Sequence, residues 1–360
     1  MHSHILAFVF FFQSLVSCQQ HQEDVLPVSA DLGFQSSKTQ DQWMEHAIPM
    51  AKDIIFQSLD GGQTWQDVSA GLPEGLYVSC VFAADGEVIL GTGKGLYRSS
   101  TISPVPVWEK DFFVNEEISG ITQGTNGRYY CSYENGVFQE IANAGIWISR
   151  FNNLEDKTIR TVLETGDGAL FLGTNSGIYK SADGGVNWKK VYSGGMVLNL
   201  VASGDVLIGG GMQGVLRSTD GGEHWDNVLN DNIFAKRTGL LQNRFVTILG
   251  TEDPSVINPE GITSRLRFSA DGGKTWQRME QTLLPLQGMY DMDEDLSQAR
   301  DLYDIIQVGE YLFCSFDTGI FRSSDQGKTW ELVLPSTDKR VLSSMTVSGK
   351  VIYAIAGGGC

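Results

Sequence analysis

The chain is poor in the residues that usually carry metal, redox or nucleic-acid chemistry. It has five histidines and five cysteines in 360 residues, and no C-x-x-C pair, so neither a zinc site nor a dithiol centre is expected. Lysine and arginine number 26 against 43 acidic residues, a net charge of −17, and no basic cluster occurs. Charge-driven binding to nucleic acid or to an anionic bilayer is thereby excluded, while a cationic partner would be favoured. The longest apolar run, Ile5–Phe12, is too short to span a bilayer as a structural helix. Segments with helical period are nearly missing; the candidates are Asp41–Ala51 and Asp291–Asp301. Prolines are few (9) and glycines many (42), with 41% hydrophobic residues, which fits a folded body rich in tight turns rather than disorder.

What is present is a repeat. The pattern Ser-x-Asp-x-Gly-x-x-Trp occurs five times. The copies are Ser58, Asp60, Gly62, Trp65; Ser181, Asp183, Gly185, Trp188; Ser218, Asp220, Gly222, Trp225; Ser269, Asp271, Gly273, Trp276; and Ser323, Asp325, Gly327, Trp330. Ser and Asp side chains bond nearby backbone N–H groups and tighten a turn. Glycine supplies angles that other residues resist, and Trp offers a large plate to bury. Each copy follows a short alternating apolar run such as Gly177-Ile-Tyr-Lys or Gly319-Ile-Phe-Arg, so the unit is predicted as a hairpin with a specialised tip.

Two more tryptophans, Trp108 and Trp147, follow similar strands but lack the Asp; they read as degenerate copies. The series Trp65, Trp108, Trp147, Trp188, Trp225, Trp276, Trp330 advances by 37 to 54 residues, which suits one four-stranded blade per step of a β-propeller. The fourth unit parses as strands Ile159–Leu163, Ala169–Gly173, Gly177–Ser181 and Trp188–Tyr192. After the last copy only two strands remain, Val341–Val347 and Lys350–Ala356, whereas the chain's first strand, Asp53–Gln57, precedes a copy directly. The expected fold is therefore all-β: a single seven-bladed propeller of antiparallel blades, closed by N- and C-terminal strands that share one blade. Closure removes exposed sheet edges.

The octapeptide resembles the Asp-box, or BNR repeat, of sialidase-like and photosystem II assembly-factor-like propellers, over roughly residues 50 to 360. In that class the box is structural and lies away from the catalytic centre. The leader ends in Leu15-Val-Ser-Cys18, which resembles the bacterial lipobox. That resemblance implies a signal peptide over residues 1–17, lipidation of Cys18 and a membrane anchor; an ordinary cleavable signal or a buried apolar strand is the alternative, since the leader has no Lys or Arg. Gln19 is not an inner-membrane retention residue in the lipoprotein family, which points to the outer membrane. Residues 18–44 are polar and glutamine-rich and read as a tether, with the propeller over 45–360. Cys131 and Cys314 are expected at one equivalent second-strand position, held by Gly91, Gly173 and Gly209 in other blades, as buried small fillers. Cys80 falls on an inner strand.

Two long insertions break otherwise short loops: Thr251–Ser264, between strands two and three of blade 6, and Gln281–Arg300, between blades 6 and 7. Both leave the ring on the face opposite the octapeptide turns, and long loops on a rigid scaffold are where binding resides. The candidate binding residues are Asp253, Glu260, Tyr290, Asp291, Asp293, Asp295 and Arg300. The Asp291-Met-Asp293-Glu-Asp295 run fails as an EF-hand, because Leu296 and Leu302 stand where Gly and Glu are required. No metal and no cofactor is expected. The resemblance to sialidases implies three arginines, a Tyr–Glu nucleophile and an Asp acid, but the Arg-Ile-Pro segment of that family is replaced by Lys52-Asp-Ile-Ile-Phe-Gln-Ser58. Arg98, Arg217 and Arg322 sit on third strands beside the turns, where ordinary exposure is expected. The reading is a non-catalytic, exported, lipid-anchored binding or assembly module with a protein or glycan on its insertion face; a sialidase-like glycoside hydrolase or polysaccharide lyase is the alternative.

Overall fold

The computed structural model describes residues 51–101, 105–125, 127–132, 136–141, 146–150, 154, 156, 158–229, 234–250, 266–278, 302–336 and 341–357. All described secondary structure is β. The leader, Cys18, the tether, both helix candidates except Ala51, both insertions and Cys360 lie outside these residues.

The strands form seven four-stranded antiparallel sheets. β1 (Ile55–Ser58) and β2 (Gln66–Asp67) belong to blade 1. Blade 2 comprises β3 (Val78–Ala84), β4 (Glu87–Thr92), β5 (Gly95–Ser100) and β6 (Glu109–Lys110). Blade 3 holds β7 (Ile118–Gly124), β8 (Gly127–Ser132), β9 (Gly136–Ile141) and β10 (Ile146–Ser149). Blade 4 holds β11 (Ile159–Glu164), β12 (Leu170–Thr174), β13 (Ile178–Ser181) and β14 (Lys189–Tyr192), within a residue or so of the boundaries expected from sequence. Blade 5 is β15 (Val197–Ser203), β16 (Val206–Gly211), β17 (Gly214–Ser218) and β18 (Asp226–Leu229). Blade 6 is β19 (Phe234–Leu241), β20 (Arg244–Gly250), β21 (Leu266–Ser269) and β22 (Gln277–Arg278). Blade 7 is β23 (Leu302–Val308), β24 (Tyr311–Phe316), β25 (Gly319–Ser323) and β26 (Glu331–Pro335), and β27 (Leu342–Ser348) and β28 (Val351–Ala356) return to blade 1.

Blade 1 is ordered β2-β1-β28-β27, so the termini close the ring as expected. Ile55 pairs with Ile355 and Ser58 with Ile352. Gln57 Nε2 donates to the Tyr353 hydroxyl at 3.0 Å in the buried interior. Each innermost strand touches the next around the circle, β27 meeting β3. Second strands such as β12 and β24 are almost wholly buried, whereas innermost strands such as β15 and β27 are half-exposed along most of their length, as walls of a central channel.

The octapeptide turns share one hydrogen-bond pattern. In the first, Ser58 Oγ donates to Asp60 Oδ1 at 2.9 Å and accepts from Gly62 N at 2.7 Å, while Gln63 N and Thr64 N donate to Asp60 Oδ1. Hydrogen bonds to the charged form, chiefly from Thr64, Asn187 and Thr329, hold Asp60, Asp183 and Asp325 down to about 2. His224 and Thr275 likewise hold Asp220 and Asp271 below the usual carboxylate range.

The tryptophans explain why the turns recur. Each joins a hydrophobic cluster between its own blade and the preceding one. Trp188 packs with Tyr129, Cys131 and Val137 of blade 3, and Trp330 with Val246, Ile248 and Leu266 of blade 6. The degenerate units obey the same rule: Trp108 packs with Ile54 and Ile55 of blade 1, and Trp147 with Ile89 and Leu96 of blade 2. Three of the conserved-pattern glycines bring the turn against the preceding blade at a distance no Cβ tolerates. A methyl on Gly62 (φ +81) would lie 2.3 Å from Phe313, on Gly222 2.2 Å from Phe171, and on Gly273 2.5 Å from Ile208.

Two expectations are corrected. Strand pairing places Cys131, opposite Gly120, in register with Gly91 and Gly173, whereas Cys314, opposite Ile305, is one residue earlier, with Gly209. A one-residue offset reverses the face: Cys131 packs toward blade 4 and Cys314 toward blade 6. Both are fully buried, as expected. Arg98, Arg217 and Arg322 are half-buried rather than exposed. Arg217 Nε donates to Gly272 O of the next blade at 2.7 Å, and Arg98 and Arg322 pair with carboxylates.

Gly61 and Gly62 separate turn strain from seam packing. Both have positive φ, but nothing lies within 4 Å of a Cβ on Gly61. Gly62→Ala is expected to destabilise the ring by about 1–3 kcal/mol more than Gly61→Ala; equal losses in denaturant titration would show that the closing seam is not tightly packed.

Candidate functional site

All seven innermost strands carry a register shift within two residues of their start, between Val78/Cys80, Ile118/Gly120, Ile159/Thr161, Val197/Asn199, Ala235/Arg237, Leu302/Asp304 and Leu342/Ser344. Such bulges re-aim side chains and cluster near functional sites. Here they set Ser79, Ser119, Arg160, Leu198, Lys236, Tyr303 and Ser343 in a ring at the end of the channel where every inner strand begins. The same end receives the loops between second and third strands: Arg160 Nε donates to Asn175 Oδ1 of such a loop at 2.9 Å.

Bonds pass from blade to blade around this mouth. Ser79 Oγ donates to the Ile118 carbonyl, and Ser119 Oγ to the Ile159 carbonyl at 3.0 Å. Asn199 Nδ2 donates to the Lys236 carbonyl at 3.1 Å and Thr238 Oγ1 to Asn199 Oδ1. Lys236 Nζ lies 4.2 Å from the centroid of the Tyr303 ring, a favourable cation–π geometry.

Asp304 is the keystone of this network. It is 1% exposed, yet it joins three blades. Arg237 Nε of blade 6 approaches Oδ1 at 2.9 Å. Met345 N of blade 1 donates to Oδ2 at 2.8 Å and Ser344 Oγ at 3.4 Å, and Ile305 N donates to Oδ1 at 2.8 Å. Burial raises its pKa, opposed by Arg237 and these hydrogen bonds. The buried thiol of neighbouring Cys314 is pushed up as well, by desolvation and then by the Asp304 charge.

Few charged side chains stand on the inner strands. Among the described residues of the innermost strands, the charged ones are Arg160, Glu164, Lys236, Arg237 and Asp304. Glu164 ends β11, at the far end of the channel. At the mouth the inner strands therefore bring Arg160, Lys236 and Arg237 together with the buried Asp304, while the described loops at the same end carry Glu116, Glu117, Asp156 and Asp317.

None of the sequence candidates can be set into this geometry. Asp253, Glu260, Tyr290, Asp291, Asp293, Asp295 and Arg300 all lie outside the described residues. The ends of their loops are described: β20 ends and β23 begins on the mouth side, beside Lys236 and Tyr303. Sequence reasoning missed Arg160, Lys236, Tyr303 and Asp304. Aligning the seven inner strands on the second residue, or the third in β19, would have found the first three, where blades 1 to 3 have serine.

No family model matches the chain, and no curated protein matches it. Solved structures do. The extracellular domain of a protein assigned to the one-component systems of B. thetaiotaomicron aligns with TM-score 0.58 at 12% identity, over 78% of this chain; this chain spans only 37% of that one. YCF48 bound to D1 peptide aligns with TM-score 0.55 at 15% identity, over 78% of this chain and 94% of that chain. A GH74 xyloglucanase from Xanthomonas campestris aligns with TM-score 0.55 at 15% identity, over 82% and 52%. These likenesses establish a shared fold.

Removing Arg237 isolates the buried carboxylate. Because burial raises the folded-state pKa of Asp304 above that of an ordinary carboxylate, ionised Asp304 costs stability at neutral pH, and the cost vanishes as the pH falls into the range of an unfolded carboxylate. Arg237 offsets the cost, although its side chain is 42% exposed and partly screened. Arg237→Met is expected to lose about 2 kcal/mol at neutral pH, with the deficit shrinking toward pH 4. A deficit independent of pH in denaturant titrations would contradict this assignment.

Proposed function

We propose that the chain is an exported, membrane-anchored binding or assembly module, without catalysis, that receives an acidic group of a protein or glycan partner at the channel mouth. In this reading residues 1–17 are removed, Cys18 carries lipid, residues 18–44 form the tether and residues 45–360 the ring. On this reading the two insertions, with Asp253, Glu260, Tyr290, Asp291, Asp293, Asp295 and Arg300, contact other, neutral or basic, parts of the partner.

One observation carries the reading: Arg160, Lys236 and Arg237 gather at one end of the channel in a strongly acidic chain. Arginine and lysine side chains give charge-assisted hydrogen bonds to a carboxylate. The neighbours of similar fold support it. One is an extracellular domain and another binds a peptide.

Hydrolysis of a glycoside needs two carboxylates flanking one bond. The two on the described inner strands do not meet that requirement: Asp304 is buried at the mouth, and Glu164 sits at the far end. The xyloglucanase likeness alone therefore does not favour a catalytic reading.

The test is an array of acidic and neutral glycans and of peptides ending in a free carboxylate, probed with the purified protein lacking its leader. Acidic members are expected to bind, with affinity falling as salt rises. Arg160→Gln with Lys236→Gln is expected to weaken that binding about tenfold or more. Unchanged binding in the double variant, or turnover of any glycan, would overturn the proposal.

A further inference from the structure

The seam between blades 2 and 3 is built differently from those between blades 4 and 5 and between blades 5 and 6. In blades 4 and 5 the basic residue of the third strand reaches the next blade's turn: Lys180 Nζ meets Glu223 at 2.7 Å, and Arg217 Nε meets Gly272 O at 2.7 Å. Arg98 occupies that position in blade 2, but blade 3 has no intact octapeptide to receive it. Arg98 turns instead to Glu140 at 3.0 Å and Asp111 at 3.2 Å, with its guanidinium 5.5 Å from the centroid of Trp147.

Beside this cluster lies an open cleft of ≈ 630 Å³, running along the outermost strand β6. Phe112 and Phe113 on its wall are each 81% exposed, and Val107 is 71% exposed. Adjacent exposed apolar side chains of this size mark an interaction site. The charged lining is Glu87, Glu109, Asp111 and Glu140 against Arg98 and Lys110, a net of −2. Arg98 and the adjacent Arg128 already hold Glu87, Asp111 and Glu140, whereas Glu109 faces solvent and is the carboxylate left to a basic partner.

We propose that this cleft docks an extended segment of a partner protein in which basic side chains alternate with apolar ones. The apolar side chains cover Phe112 and Phe113; the basic ones meet Glu109 and its neighbours. Among the described residues β6 pairs only with β5, so its outer backbone edge can accept an added strand. Charge argues against the other occupants. A second copy of this chain brings −17. The chain's own segment 18–44 carries Glu23, Asp24, Asp31 and Asp41 against Lys38. An anionic bilayer is repelled in the same way.

The test uses the exported chain and a labelled peptide alternating arginine and leucine, followed by fluorescence anisotropy, with a glutamate–leucine peptide and anionic vesicles as controls. The basic peptide is expected to bind. Phe112→Ser with Phe113→Ser, and separately Glu109→Lys, are expected to weaken it about tenfold. Arg160→Gln with Lys236→Gln should leave it unchanged, which separates this site from the channel mouth. Because both phenylalanines are exposed, thermal unfolding of the double serine variant should match the parent. Failure of the basic peptide to bind, equal binding of the acidic peptide, preference for vesicles, or insensitivity to the cleft variants would each overturn the proposal.

Discussion

Everything else in this molecule depends on how one blade closes against the next. A four-stranded sheet has two faces to bury, and the neighbouring blades are what cover them. The seams solve this with one tryptophan each, entering the cluster it shares with the preceding blade. The Ser and Asp of the turn fold the hairpin tip back on itself, and the second glycine lets that tip approach Phe313, Phe171 or Ile208 within a distance that excludes a Cβ. The octapeptide therefore persists for packing reasons. It stands at the opposite end of the blades from the channel mouth, which leaves the mouth free to vary.

That freedom is visible at the inner strands. Their common bulge presents one residue per blade around the channel, and blades 4, 6 and 7 use it for Arg160, Lys236 and Tyr303. Asp304 then ties three blades together while orienting Arg237. A buried carboxylate is costly unless it is paired and hydrogen-bonded, and its four donors meet that demand. The blade 2–3 seam shows the converse case. Loss of the octapeptide there is accompanied by a charged cluster around Arg98 and by an open, partly apolar cleft.

The architecture was legible in the sequence because its signals are local and repeated. Seven tryptophans counted the blades, and the unmatched strands at either end foretold that β1 and β28 share one blade. Degenerate copies were readable at Trp108 and Trp147 because the tryptophan outlasts the turn chemistry. The strand position assigned to Cys314 was one residue off that of Cys131, since one residue of register is invisible without the strand partner. The mouth was missed for a related reason. Bulge residues sit inside apolar runs, where Asp304 looks like an interruption of a strand rather than a junction of three blades. The exposure expected for Arg98 and Arg217 failed because partners such as Glu140 and Gly272 lie in neighbouring blades, 42 and 55 residues away in sequence.

The central claim is that the ring is one cooperative body closed through blade 1. Native-state hydrogen exchange tests it most directly. The amides of β1 and β28 at Ile55, Gln57 and Ile355 should exchange with the same free energy as those in the middle of blades 4 and 5, with all of them following global unfolding. Exchange of the blade 1 amides at far lower free energy, while blades 4 and 5 stay protected, would contradict the account.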